Sequence, residues 1–522
     1  TAGVLDIITT DLTLTNGVEL RSDALSEGDG GDITIEATTL TLSGENTSIT
    51  AQALGTGDGG FLKIDAKDIY LSDQASIKSD TLNSGDGGAV EITSINSLSV
   101  DGPLTRISAQ AQGSGDGGQI LISTDSFLLT NQASLQAEAF STGEGGLILI
   151  NATTVLVDNG TINTNSESTS GGPAATGDSG SLDIQATDVT LRNGAELRSD
   201  SLSEGDGGDI TIATSNLSLS GRDTSISAQA AGAGDGGFIQ VDARDISLTD
   251  NASIKSDSSL SGEGGYIQIT GENKVSLAGN GTRISAQAGG SGVGGQILIT
   301  TESFTLTDKA SLVAEAFASG EGGLILIDAA TVLIDDSTVN TNSLAAPGSP
   351  PATGNSGALG IRATEVTLNN GAQLRSDSLS EGHGGDIKIE TNELSLNGEN
   401  TSITAQTTGT GEGGFIQVDA REVALTDRAS IKTDSLRSGE GGFIAINSTQ
   451  SVSVEGAGTS ISAKAGGSGI GGAILIITDS FSLTNEASLD AEAFSSGDGG
   501  LILIDAPTVL VDNSIINTNS QA

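Results

Sequence analysis

Apolar and polar residues alternate along short stretches of this chain. After Gly31, Ile33 and Ile35 alternate with Asp32, Thr34 and Glu36. Leu40 and Leu42 alternate with Thr39, Thr41 and Ser43, and Ile49, Ala51 and Ala53 alternate with Thr50 and Gln52. A period of two is that of a strand with one buried face. The pattern therefore predicts three short strands, separated by a bend near Ala37, a polar corner at Gly44-Glu45-Asn46 and a glycine-rich corner, Gly28-Asp29-Gly30-Gly31. No stretch shows helical periodicity.

The glycine corner punctuates the whole chain. It returns from Gly57, Gly85, Gly115 and Gly143, as the variant Gly177-Asp178-Ser179-Gly180, and from Gly205. Successive corners thus lie roughly 28 to 34 residues apart, a period in the range of solenoid repeats. The series then repeats, because "NGVELRSDALSEGDGGDI" from Asn16 recurs, with few changes, from Asn193 and again from Asn370, at one constant offset. Three superrepeats follow, approximately 1–177, 178–354 and 355–522, each of six units averaging about 29.5 residues. Three strands per unit at a constant period mark a parallel β-helix: each unit is one coil, and strand n pairs with strand n of the next coil. The expected fold is all-β, one continuous right-handed β-solenoid of about 18 coils, since right-handed crossovers are the rule. A left-handed hexapeptide solenoid would repeat about every 18 residues. The inward triplet of the third strand runs large, small, small (Ile49-Ala51-Ala53, Ile107-Ala109-Ala111), so the tube should narrow toward the glycine corner. Insertions beginning at Ser166 and Ser343 are expected to project from one edge as the most mobile segments.

Composition supports a repeat fold over ordinary globular domains. Glycine contributes 75 residues and aromatics 2%, so the core must be built from small aliphatic layers. The net charge of −46 argues against nucleic acid and against anionic membranes as partners. It suits a soluble surface that repels its own copies unless cations intervene. With no cysteine there is no disulfide framework and no thiolate metal or redox chemistry. No apolar run reaches the length of a membrane-spanning helix, so no membrane insertion is expected.

The units "LTLTNGVELRSDALSEGDGGDITIEA" and "VTLRNGAELRSDSLSEGDGGDITIAT" share the motif L-x-[VL]-x-[ND]-G-[AV]-x-[LV] followed by S-x-x-x-x-G-x-G-G-x-[IL]-x-[IV]. Such units resemble the repeats of filamentous-haemagglutinin-like exoproteins, especially long cyanobacterial ones, and the resemblance spans essentially the whole chain. It implies a right-handed parallel β-helix, export by two-partner secretion through an outer-membrane pore, and an adhesive or fibrous role at the bacterial surface. The NPNG- and NPNL-type motifs of those proteins' secretion domain do not occur in this sequence.

Four groups of residues are candidates for chemistry. The acid of the glycine corner is Asp or Glu in thirteen of seventeen corners, with Val293, Asn355, His383 and Ile470 in the others. No single acid can therefore be a dedicated ligand or catalyst, and the glycines, read as supplying positive φ and close backbone stacking, are the stricter requirement. Stacked carboxylates about 5 Å apart repel by roughly 1 kcal/mol in water. The column through Asp29, Asp58, Asp86, Asp116 and Glu144 is thus expected to bind Ca²⁺ or other cations loosely, with no specific metal site and no cofactor. An enzyme would need a local cluster that breaks the repeat. Here Arg21 recurs as Arg198 and Arg375, and Lys78 as Lys255 and Lys432, so no catalytic residues are assigned. An ice-binding ladder is not seen: the outward column of the second strand reads Thr41, Tyr70, Ser99, Leu128. Among the aromatics, Phe127 falls in the inward column of Leu40. Phe61, Phe238 and Phe415 fall outward beside corners, where they either pack under the corner or form an apolar spot for association.

The expected function is a non-enzymatic extracellular structural or adhesive solenoid, secreted to the cell surface. The alternatives are an adhesin that binds carbohydrate or cells through its corner loops, and, from another class, a β-helix polysaccharide lyase or hydrolase. Expected partners are further copies of the chain, end to end or laterally, surface glycans of host or neighbouring cells, and the secretion pore. The pattern begins and stops mid-period, which suggests a window on a longer array.

Overall fold

The computed structural model describes residues 2–168, 174–345 and 351–521. Parts of the two long insertions, 169–173 and 346–350, lie outside the described residues. The chain divides into two compact units, Thr1–Ser259 with Gly265–Ile267, and Leu260–Gly264 with Gln268–Ala522. Each is a stack of parallel β-coils about 29 residues apart, and the two together comprise about 17 turns, with no helix among the described residues.

In the first unit a coil is built from a first strand such as Asp32–Glu36, a second such as Thr39–Ser43 and a third such as Ser48–Thr50. Each pairs with its counterpart one coil on: Ile33 with Leu62, Leu40 with Ile69, Ile49 with Ile77. The second unit repeats the scheme, with Ile325 opposite Leu359, Val332 opposite Val366 and Leu312 opposite Val339. The alternation thus becomes a stack of aliphatic layers. Phe127, Phe304 and Phe481 are wholly buried, as their inward column predicts.

The bend near Ala37 is subtler than a corner between separate strands. In many coils the first two strands run together, as in Phe61–Ser72 and Ala89–Asp101. What turns the chain is a change of phase: Leu62, Ile64 and Ala66 face inward at steps of two, and the next inward residue is Ile69, three further on. Two successive outward residues bend the strand without breaking its hydrogen-bonded ladder. In the next coil one more residue is inserted here, so Ser94 pairs with Ala66 but Ser97 with Asp68. The Ser94 hydroxyl donates to the carbonyls of Lys67 and Ser97, bridging the irregularity.

The two remaining corners solve different problems. Between the second and third strands the chain enters the left-handed region at Asn16 (φ 59°), Asp73 (54°) and Asn131 (56°), types whose short polar side chains tolerate it. At the glycine corner the expectation of positive φ fails for most glycines: Gly28 has φ 119°, whereas Gly30, Gly31, Gly59 and Gly60 are outside that region. They are glycines because backbone meets backbone. The Gly60 N–H donates across the same coil to the Ala51 carbonyl at 2.7 Å. A Cβ on Gly59 would lie 2.3 Å from the Ser79 carbonyl oxygen. The large-small-small triplet narrows the tube until no side chain fits between its walls.

Candidate functional site

The glycine corner places the predicted acids in an exposed column, and the side chains there do more than face water. Asp29 Oδ1 accepts the N–H of Asp58, Asp58 that of Asp86, Asp86 that of Asp116, and Asp116 that of Glu144, at 2.9 to 3.2 Å. In the second unit Asn355 Oδ1 accepts the His383 N–H, and His383 Nδ1 that of Glu412, both at 3.0 Å. Asp, Asn and His share a short side chain ending in an acceptor, which explains why they interchange here. Val293 and Ile470 lack one, and the position is exposed enough for water to serve the amide instead.

Beside this column runs a groove. In the first unit it has a volume of about 780 Å³ and is lined by paired glycines such as Gly59-Gly60 and Gly87-Gly88, by Asp29, Asp58, Asp86 and Asp116, and by Phe61 and Gln119. Phe61 is 37% exposed. In the second unit the same corner forms a groove of about 710 Å³ beneath Phe415 and Phe443, whose rings stack 5.5 Å apart. Phe238 stacks in the same way on Tyr266, at 5.4 Å. The structure therefore brings the predicted acids and the predicted aromatic Phe61 into the lining of one concavity. Glu144 follows one coil beyond Asp116.

Sequence reasoning missed a second polar column. The outward residues of the third strand lie against their neighbours and are largely buried. Through the first unit they read Asp23, Gln52, Asp80, Gln110, Glu138, Asn165, Asp200, Gln229, Asp257, and through the second Gln287, Glu315, Asn342, Asp377, Gln406, Asp434, Lys464, Glu492, Asn519. An acid alternates with an amide, coil by coil, with Lys464 in one amide slot. Asp80 is 1% exposed; its Oδ1 accepts the Gln110 N–H at 3.0 Å, and its Oδ2 accepts from the Gln52 amide at 3.1 Å. Asp200 and Asp377 likewise accept the Gln229 and Gln406 N–H groups at 2.8 Å, while their other oxygens are held by Arg198 and Arg375, both at 2.9 Å. Glu138 accepts from Gln110 and Asn163. Burial, reinforced by the nearby Glu167 carboxylate, pushes its carboxyl up to about 7, and burial also raises those of Asp80 and Glu315. The signal was present as a doubled period, visible only if successive coils are not treated as equivalent.

Among the described residues, no group of three or more His, Asp or Glu side chains is arranged to hold a metal ion. His383, the one histidine, is an exposed member of the corner column. Arg21 pairs with Glu19 and Asp23 within its own coil. The chain matches no protein-family model, no characterised protein and no solved structure at a significant level.

Proposed function

We propose that this chain is a non-enzymatic extracellular scaffold of a bacterial surface, of adhesive type, exported through an outer-membrane pore. The β-solenoid fold fits a structural rod. The observation that carries the reading is the distribution of surface chemistry. Each polar feature is a column recurring coil after coil and in every superrepeat, as a scaffold requires, rather than one cluster at one place. The acidic, cysteine-free composition and the resemblance to exoprotein repeats support the location.

The groove favours a second reading, in which the scaffold binds glycans along its glycine corner. A glycine lining admits a pyranose closely, carboxylates accept sugar hydroxyls, and Phe61 or the Phe415–Phe443 pair offers an apolar face. The acids in the lining select neutral or amino-sugar polymers over sulfated or uronic ones. Antibody labelling of intact source cells and a glycan array probed with the full chain test the two readings. Surface labelling with retention on neutral or amino polysaccharides, weakened by Phe61→Ala with Phe415→Ala, is expected. Labelling confined to the cell interior overturns the scaffold reading. Release of reducing ends or unsaturated products makes the protein an enzyme. Retention only on sulfated polymers overturns the groove assignment.

A further inference from the structure

The outward face of the first strands carries charge in most coils, as at Asp32, Lys63, Glu91 and Asp209, but two neighbouring coils in each superrepeat depart from this. In the first unit two neighbouring coils present Gln119, Leu121 and Ser123, then Leu147, Leu149 and Asn151, with no charge among them. The second unit carries the equivalent Leu298, Leu324 and Leu326, and six coils later Leu475, Leu501 and Leu503, with Asp328 and Asp505 in the place of Asn151. Leu326 is 39% exposed. Beside it the surface opens into a cavity of about 370 Å³ lined by Ala358 and Gly360, with Arg362, Lys388 and Glu390 also in its lining. Gly360 stands where the preceding superrepeat has Asp183, so the hollow exists because one outward acid has been replaced by hydrogen.

We infer that this face is a lateral self-association surface whose occupant is the same face of a second copy of the chain. Charge is the first argument. Each copy carries −46, and elsewhere its surface presents acids: nearly every glycine corner does, and so do the second strands at Asp68, Asp188, Glu365 and Glu393. Two copies meet with least repulsion where the outward residues are mostly apolar, and each leucine patch brings at most one carboxylate, Asp328 or Asp505 at its edge. Period is the second argument. The patch returns once in every superrepeat, so a partner engaging successive patches must carry that spacing, and a second copy does. Two-fold association places like patch on like patch, and the hollow at Gly360 can take an aliphatic side chain from the opposing surface. Burial of leucine supplies the attraction, and salt removes the opposing long-range repulsion. The inference concerns assembly and is independent of glycan binding in the corner groove.

Sedimentation of the full chain between about 0.1 M and about 1 M NaCl, where the screening length falls from about 10 to 3 Å, tests it. The weight-average mass should at least double as salt rises. A Leu121→Asp, Leu298→Asp, Leu475→Asp variant should remain monomeric throughout. A control adding three acids to the second strands, Ser99→Asp, Ser276→Asp, Ser453→Asp, should associate at high salt like the parent. Circular dichroism and the unfolding midpoint establish that each variant is folded. A Leu→Ser set at the same three positions removes apolar area without adding charge, and should weaken association several-fold. The inference is overturned if the parent stays monomeric at every salt concentration, including the case in which the face captures only an unrelated protein. It is overturned equally if the leucine variants associate like the parent, or if the control loses association as fully as they do.

Discussion

Two columns of acids run through each unit at the spacing of one coil, and they obey opposite rules. At the glycine corner nearly every coil carries a carboxylate, and Val293 or Ile470 substitutes without disturbing the fold. On the third strand no two adjacent coils carry one, because Gln52, Gln110 and Asn165 separate Asp23, Asp80, Glu138 and Asp200. The difference follows from dielectric. Two charges about 5 Å apart cost roughly 1 kcal/mol in water and roughly 3 kcal/mol at the effective dielectric of a buried site. The exposed corner tolerates that cost at each step. The buried column does not, so it halves its charge density; Gln52 and Gln110 donate to the next acid, and Asn165 accepts the Asp200 N–H. Solvent access, rather than residue type, determines how closely like charges stack.

The contrast should be disturbed most severely where backbone touches backbone. Gly59→Ala puts a methyl 2.3 Å from one carbonyl and 2.4 Å from the Gly88 nitrogen. It should destabilise the chain by about 3 kcal/mol or more, whereas Asp58→Ala should cost about 1 kcal/mol or less. Urea unfolding followed by circular dichroism compares them, and equal costs would show that the corner is not close-packed.

Gln110→Glu converts the buried column into three successive acids at Asp80, 110 and Glu138. It should cost about 3 kcal/mol near pH 8 and less at pH 5, where protonation relieves the repulsion. The same change of charge at the exposed corner, Ile470→Glu, should cost less than about 0.5 kcal/mol at either pH. If the two substitutions cost alike, burial does not separate the columns.

The titration of Glu138 bears on the same point. Its folded carboxyl lies at about 7 against an ordinary 4.5, so the folded chain binds this proton more tightly than the unfolded chain. Its contribution to stability is therefore fully present below pH 4.5 and lost as pH rises through 7, a swing of about 3 kcal/mol. Glu138→Gln should flatten the wild-type stability profile over that window. Parallel profiles would mean that the site is better solvated than its burial indicates.

The smallest expected effect restores a lost acceptor. Val293→Asp places an acceptor one coil before Glu321, whose N–H is the counterpart of those held by corner residues such as Asp58, Asp178 and Asn355. It should stabilise by about 0.5 kcal/mol, read as a small rise in the unfolding midpoint. A loss of stability would show that the corner acids act through charge alone.

Much of the coil was legible in the sequence. The inward residues Leu40, Ile49 and Phe127 followed from the period of two, because a strand with one buried face has no other way to write itself. The near-constant spacing of the corners implied parallel stacking for a related reason: only a coil of constant length brings Ile33 over Leu62 and Ile49 over Ile77 in turn. The glycine corner was recognised as a turn and its close backbone stacking was expected, but the positive φ expected beside it fails at most of its glycines, whose partners, such as the Ala51 carbonyl, lie elsewhere in the coil. Asp58 and Phe61 were each singled out, yet nothing in their closeness along the chain says that they line one groove with the acids of neighbouring coils. The acid–amide alternation was written in the chain and went unread, because its meaning is burial.

The opening corner, Gly28-Asp29-Gly30-Gly31, marks the division. Local sequence determined that the chain turns there and that a strand begins at Asp32, since glycine and alternation are properties of neighbouring residues. Tertiary structure decided that Asp29 caps the amide of Asp58 and that Gly31 donates to the Ser22 carbonyl at 2.7 Å. It also decided that Asp23, shortly before the corner, belongs to a half-buried column in which its counterpart one coil on must be an amide. Those contacts reach across a coil or on to the next one, and their cost depends on how much water the stacking leaves behind.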